Sequence, residues 1–392
     1  MSSRGGTVTL VYDSPISFSG QYAATALIRD TLADSDWTFQ AVEYPALDRT
    51  AGTLKRYASY AAKTARCWAA LALRARPGTI LHINLPQSPV AFAKMGWPLR
   101  LIESVRSGVP VVVSLHGSVF MSWERDQSEA QAFLRILHAA DVVTVLGPVQ
   151  RARLVEWGIQ ADRVRIVENT SELTPVSDDA VIAKQHAAEQ EPVRLLHLSL
   201  LVESKGYPEY LEALEILGTR DLGRRVEAVL CGPPSFTSFC TRFTTVESKA
   251  AWIEERLAAI NASDSVSATW IPGARGEAKE ALFENAQVFV FPSQFPVEAQ
   301  PLVLLEAMAS GCALISSTVG EIPSTLGEGT ALLLDETTPV AIADAIERLV
   351  RDADLRASLA QAGLDRVRTT FSLDRYASTW DEIFSSLLPA SA

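Results

Sequence analysis

The chain has 392 residues, enough for two α/β cores, and 48% hydrophobic with 21% charged side chains is an ordinary globular composition. A net charge of -11 argues against general nucleic-acid binding, and no run of about 18 or more uncharged apolar residues is present to span a membrane. The four cysteines (Cys67, Cys231, Cys240, Cys312) form no C-x-x-C pair and have no histidine cluster nearby, which argues against a disulfide framework or structural zinc and fits a reducing cytoplasm.

Charge is unevenly placed: residues 1–172 hold 18 basic and 15 acidic side chains, the remainder 17 and 31. The two halves are expected to meet different partners. Short β-branched runs alternate with helical stretches throughout. The predicted strands of the first half are 7–13, 38–44, 79–84, 110–116, 142–146 and 163–168. Those of the second half are 194–199, 226–231, 266–271, 288–292, 312–317 and 331–334. Several cores are continuously apolar (VVVSL, FVF, ALIS), as parallel strands covered on both faces require. Such alternation predicts a doubly wound α/β chain of two Rossmann-like domains. Ligands of doubly wound sheets bind at the carboxyl ends of the strands, so chemistry is expected at strand-to-helix turns facing a central cleft.

In chain order, the apolar run after MSSRGG is too short for a signal-peptide core and reads as the first strand. Ser17, Ser19 and Gly20 then fall in the first strand–helix turn, where a backbone can approach a ligand closely. The spacing is not G-x-G-x-x-G, which weakens a dinucleotide-oxidoreductase reading. Residues 52–76 carry six basic side chains and no acid. On a helix Lys55, Arg56, Lys63, Arg66 and Arg74 share one arc, with Leu54, Tyr57, Ala61, Ala65 and Trp68 on another face. That is a membrane-surface pattern, to which an exposed apolar wedge at 91–99 would add; a packed helix with a solvated basic face is the alternative. VPVVVSLHG ends a buried strand on His116, placed to bond a sugar hydroxyl or phosphate, or else a satisfied structural histidine.

Residues 173–191 are polar, lie between prolines, and read as a linker. HLSLLVESKGYPEYL then ends a strand near Ser199 and places Lys205 before a helix opened by Pro208, either an ordinary surface lysine, the commoner case for a lone K-G, or a cation beside oriented amides suited to a diphosphate. The richest segment is 288–323. A strand is followed by a loop carrying Glu298, then by a helix starting near Pro301 whose one charge, Glu306, lies in an apolar stretch. Burying an unpaired carboxylate costs several kcal/mol. Glu306 therefore needs a partner, either a ribose diol or a core Arg or Lys. The helix N-terminus next to Gln300 offers free backbone N–H groups and a positive dipole end, a seat for phosphate. The tail after Phe371 reads as an amphipathic helix.

Glu298 and Glu306 stand at the Glu-x(7)-Glu spacing, followed by LLEAMASGCALISSTVGEIP, and this segment resembles retaining glycosyltransferases of family 4, which have the GT-B fold. The resemblance extends to Lys205-Gly206, ENAQVFVFPS and SLHG, and so spans essentially the whole chain. It implies a nucleotide-diphosphate sugar donor, no required metal or cofactor, and transfer with retained configuration to a saccharide or lipid-linked saccharide, as in polysaccharide assembly. Carried over by position, Glu298 lies beside the donor sugar, Glu306 on the ribose, Lys205 on the diphosphate and His116 near the sugar. The chain departs from the pattern at Leu200, where an Arg is common, at Ala299, and at Gln300-Pro301 in place of Phe-Gly.

The expected domains are an acceptor domain at 1–172, joined by a helix at 373–392, and a donor domain at 192–372. The site set is Glu298 and His116 as catalytic residues, with Ser199, Lys205, Gln300, Pro301, Leu302, Val303, Glu306 and Gly20 on the donor. Lys55, Arg56, Lys63 and Arg66 serve acceptor or membrane, and no metal ligands are expected. The expected location is the cytoplasm, with peripheral contact at an anionic membrane. A phosphorylase, a nucleotide-sugar epimerase or a non-catalytic sugar-nucleotide binder are the rivals.

Overall fold

The computed structural model describes residues 5–13, 20–45, 53–92, 94–96, 108–171, 173–187, 191–237 and 239–388. The chain divides into two compact units, Met1–Asn169 with Leu373–Ala392, and Thr170–Ser372. The sheet of the first unit contains β1 (Thr7–Asp13), β2 (Thr38–Tyr44), β3 (Thr79–Asn84), β4 (Val111–Ser114), β5 (Val142–Val145) and β6 (Val164–Ile166), in the order β2-β1-β3-β4-β5-β6. That of the second contains β7 (Val193–Leu198), β8 (Val226–Cys231), β9 (Val266–Ile271), β10 (Val288–Phe291), β11 (Ala313–Ser317) and β12 (Ala331–Leu334), in the order β12-β11-β10-β7-β8-β9. All the pairings are parallel. Parallel neighbours need crossover helices, which cover both faces and demand strands without an outward polar side. The residues of β3, β4, β10 and β11 are accordingly all buried.

In the second unit the chain runs outward from β7 to β9, then returns to the other side of β7 as β10. The strand order reverses between β7 and β10, and the carboxyl ends of these two strands are where a doubly wound sheet opens to a ligand.

The helix Leu373–Leu387 buries Tyr376, Trp380, Ile383 and Phe384 among Val8, Ile28, Trp37 and their neighbours in the first unit. Trp37 Nε1 donates to Asp381 at 2.7 Å, fixing its register.

Three expectations are corrected. The segment 173–191 is no bare linker: it contains the helix Asp178–Gln185, capped by Ser177 and seated in the core of the second unit. Gln185 is buried, donating to the carbonyls of Gln287 and Gly311 and accepting from Arg356, while Lys184 bonds the carbonyls of Phe283 and Ser310. Lys184 and Gln185 are interior partners, a role composition does not reveal.

On the expected apolar face of the helix Thr53–Arg74, the side chain of Tyr57 lies outside the described residues. Trp68 packs against the core of the first unit and its Nε1 donates to the Lys94 carbonyl at 3.0 Å. Arg74 is spent on the Ala41 carbonyl at 2.7 Å, whereas Lys63 and Arg66 are exposed. The wedge expected at 91–99 is internal where it is described: Ala91, Phe92 and Met95 are buried. Trp97, Pro98 and Leu99 lie outside the described residues, as do Ser17, Ser19 and the last four residues of the 373–392 segment. No helix among the described residues is long and apolar enough to cross a membrane.

Candidate active site

β7 ends at Leu198, and the chain then makes a 3-10 turn, Glu203–Lys205, before the helix Tyr207–Gly218. Gly206 sits between them at φ +81°, and a Cβ there would stand 2.2 Å from the Pro292 carbonyl oxygen. Only glycine lets this turn lie directly on the end of β10. Lys205 is thereby delivered to Glu298, in the loop after β10. Its ammonium donates to both carboxylate oxygens, at 2.7 and 2.6 Å. Ser293 Oγ adds a third bond to Glu298 at 2.7 Å. Lys205 Nζ also lies 4.8 Å from the centre of the Phe295 ring and 5.5 Å from that of Phe291. Glu298 is 7% exposed and the Lys205 side chain 19%, so the pair is shielded but open on one side. The Glu298 loop rests on Gly320, at φ +58°, where a Cβ would meet the Glu298 carbonyl at 2.1 Å.

Ser199 follows β7, its Oγ 3.0 Å from His197 Nε2; His197 Nδ1 faces the Val290 carbonyl at 2.9 Å. Burial holds the His197 imidazole down at about 4, so it is neutral at pH 7 and ties β7 to β10 without adding charge. Leu200, where an Arg is common in the pattern this chain resembles, is exposed. Lys249 does not replace that Arg. It is fully buried, and its ammonium is committed to the Leu201 and Ser235 carbonyls at 2.9 and 2.7 Å.

The helix after Glu298 spans Leu302–Ala309, with Pro301 in extended conformation at its cap, one residue later than the proline-first reading. No side chain caps it, and the first-turn amides at Leu302 and Val303 have no intrahelical acceptor. Gln300 and Pro301 are buried beside it. Glu306 is 2% exposed, and its Oε1 is paired with Lys279 from the helix Glu277–Asn285. The carboxylate thus has a protein partner, the lysine alternative left open above. Glu306→Gln still separates the two roles. If Glu306 also receives a ribose, nucleoside-diphosphate affinity should fall by about 1.5–3 kcal/mol with the fold intact, because a charge-assisted bond is lost. Unchanged affinity by calorimetry would leave it as the partner of Lys279 alone.

His116 belongs to the first unit, directly after β4. Gln87 fixes its turn by donating to the Gly117 carbonyl at 2.6 Å and accepting from Phe120 N at 2.8 Å, and Gln150 donates to Ser118 Oγ at 2.5 Å. Both His116 ring nitrogens are shielded from solvent and neither has a hydrogen-bond partner among the described residues. Desolvation holds the imidazole pKa down at about 4, so the ring is neutral at pH 7, with one donor and one acceptor unused among the described residues. No side chain or backbone group among the described residues satisfies the ring as the structural alternative would require. Gly20 opens the helix Gly20–Thr31, and Lys55 and Arg56 lie on the helix Thr53–Arg74.

Sequence reasoning missed Ser293, Phe295 and Lys279. Ser293 and Phe295 had a usable signal, standing within a few residues of the strand end. Lys279 had none, because its helix precedes the strand and only tertiary packing brings it to Glu306.

Comparison with known proteins agrees with this architecture. The model of the family "Glycosyl transferases group 1" matches residues 178–366, and that of the "Glycosyl transferase 4-like domain" matches residues 7–170. D-inositol 3-phosphate glycosyltransferase of Salinispora arenicola is 25% identical over 319 residues, covering 76% of this chain and 67% of that protein. Among solved structures, sucrose-phosphate synthase of Thermosynechococcus elongatus superimposes with a TM-score of 0.70 at 20% identity, over 98% of this chain and 100% of that one. Anabaena Alr3699/HepE, in complex with UDP-glucose, gives 0.67 at 14% identity, over 97% and 100%. Two parallel sheets of this kind, with these relatives, define a glycosyltransferase of the GT-B fold. The chain belongs to the family 4 type of these enzymes, its second unit matching the group 1 model and its first the 4-like domain.

Proposed function

We propose that the enzyme transfers a sugar from a nucleoside-diphosphate sugar to a saccharide or lipid-linked saccharide, with retention of configuration. The observation that carries this reading is the meeting of Lys205 and Glu298 at the two strand ends flanking the β7/β10 reversal, a cation and an acid beside an uncapped helix start. The Anabaena structure with UDP-glucose, which shares the fold, supports a nucleotide sugar as donor.

In this reading Lys205 and the amides at Leu302 and Val303 take the diphosphate and stabilise the negative charge that grows as the glycosidic C–O bond breaks. They do what a metal would do in other sites, so none is required. The acceptor hydroxyl attacks the anomeric carbon on the face the diphosphate leaves, and its proton passes to a phosphate oxygen of the departing group. Glu298 orients the sugar and steadies positive charge at the anomeric carbon. His116 offers its neutral ring to a sugar hydroxyl. Real-time NMR of donor cleavage, with acceptor or with water in its place, tests the stereochemistry. An α-linked donor should give the α product first, and the β anomer appearing first would overturn retention.

The basic helix supports peripheral contact with an anionic membrane through its charge, Trp68 being taken up by the protein. Lys63 and Arg66 are exposed, near Ala62, Ala69 and Leu73, the last 62% exposed. Each basic residue near an anionic surface contributes about 1 kcal/mol, screened within a Debye length. Replacing Lys55, Arg56, Lys63 and Arg66 by Ser should abolish sedimentation with anionic vesicles at low salt. Turnover on a lipid-linked acceptor should fall more than on a short soluble one. Equal loss on both acceptors would assign these residues to the acceptor sugar or the fold.

A further inference from the structure

We propose that Glu203 is a positioning residue of the donor site, holding Lys205 in place through the segment that follows β8; this rests on the reading of Lys205 as a diphosphate ligand. Glu203 and Lys205 are the two ends of one 3-10 turn, closed by Lys205 N donating to the Val202 carbonyl at 2.8 Å and Gly206 N to that of Glu203 at 2.9 Å. So short a turn has little stability of its own.

The Glu203 carboxylate supplies what the turn lacks. Three successive backbone amides donate to it: Thr241 and Arg242 to Oε2 at 2.8 and 2.7 Å, and Phe243 to Oε1 at 3.2 Å. Consecutive amides converging on one point form an anion cradle, filled here by the protein's own acid. The two loops are laced again just upstream, by Leu201 N donating to the Pro233 carbonyl at 3.0 Å and by Lys249, which bonds Leu201 and Ser235.

The segment so held returns to the ammonium. The ring of Phe239 meets that of Phe295 edge-on at 5.3 Å, and Phe295 is the ring 4.8 Å from Lys205 Nζ. Glu203 therefore acts on Lys205 twice, through the backbone of their shared turn and through the aromatic pair beneath its charge. Glutamine cannot substitute, since its single acceptor oxygen cannot serve three amides and its NH2 would face an amide N–H, donor against donor.

The test is calorimetry with whichever of UDP, GDP, ADP and TDP binds wild type most tightly, on wild type, E203Q, K205A and the double variant, well below their unfolding temperatures. E203Q should weaken binding about tenfold, and K205A at least as much. Because Glu203 acts through Lys205, the double variant should bind no more weakly than K205A. F239A, which leaves the carboxylate and its amides untouched, keeps the test open should E203Q fail to fold; it should weaken binding several-fold, and again not in the K205A background. Wild-type affinity in E203Q or, where E203Q does not fold, in F239A would overturn the proposal. So would an equal fold-loss with and without Lys205, the mark of general loop damage. A wild type that binds none of the four nucleotides would instead overturn the donor-site reading on which the proposal rests.

Discussion

Lys205→Ala is expected to weaken nucleoside-diphosphate binding by about 1.5–3 kcal/mol, roughly 10- to 150-fold in Kd, since it removes a charged hydrogen-bond donor. The same change strands Glu298, which is 7% exposed and keeps only the Ser293 bond of its three side-chain hydrogen bonds. Breaking a fully buried ion pair from one side costs about 3–5 kcal/mol, and the 19% exposure of Lys205 should reduce that. Affinity and stability should therefore fall together, read by calorimetry and by denaturant unfolding. A stability loss with unchanged affinity would make Lys205 a structural partner of Glu298 and no more.

Glu298→Gln should move binding and turnover in opposite directions. Glu298 holds both carboxylate oxygens within 2.7 Å of the ammonium, so a diphosphate arriving at Lys205 meets a second anion on the same cation. Removing that charge should tighten nucleoside-diphosphate binding, by about tenfold if one charged hydrogen bond's worth of competition is relieved. Transfer should fall by about 10²–10³, the usual loss when a group aimed at transition-state charge is removed. If affinity falls with turnover, Glu298 touches the nucleotide or supports the fold, and the competition is absent.

Strand positions were largely legible. Runs at 7–13, 38–44, 79–84, 226–231, 266–271 and 331–334 coincide with strands because β-branched apolar stretches bounded by turns have no other place in a two-sided sheet. The run 110–116 overshot β4, which ends at Ser114: beyond it, apolar Leu115 stays buried while the chain leaves the sheet to present His116. Lys205 and Glu298 could be picked out separately as strand-end residues. Their contact could not, since it depends on β10 pairing with β7, a fact of strand order that spacing along the chain does not carry. Glu306 shows the same limit: burial demanded a partner, but only packing delivers Lys279. Trp68 shows the converse, for an apolar helix face fits a protein core as readily as a lipid surface.

The central claim is that the turn after β7 and the loop after β10 form a seat for a nucleoside-diphosphate sugar. Thermal unfolding of wild type against a panel of UDP, GDP, ADP and TDP sugars tests it most directly, because a ligand that binds only the folded chain raises its apparent stability by mass action. The account predicts that at least one donor raises the unfolding temperature in a concentration-dependent way, and that the shift shrinks in Lys205→Ala. No shift with any of the four classes at millimolar ligand, or a shift that Lys205→Ala leaves unchanged, would contradict it.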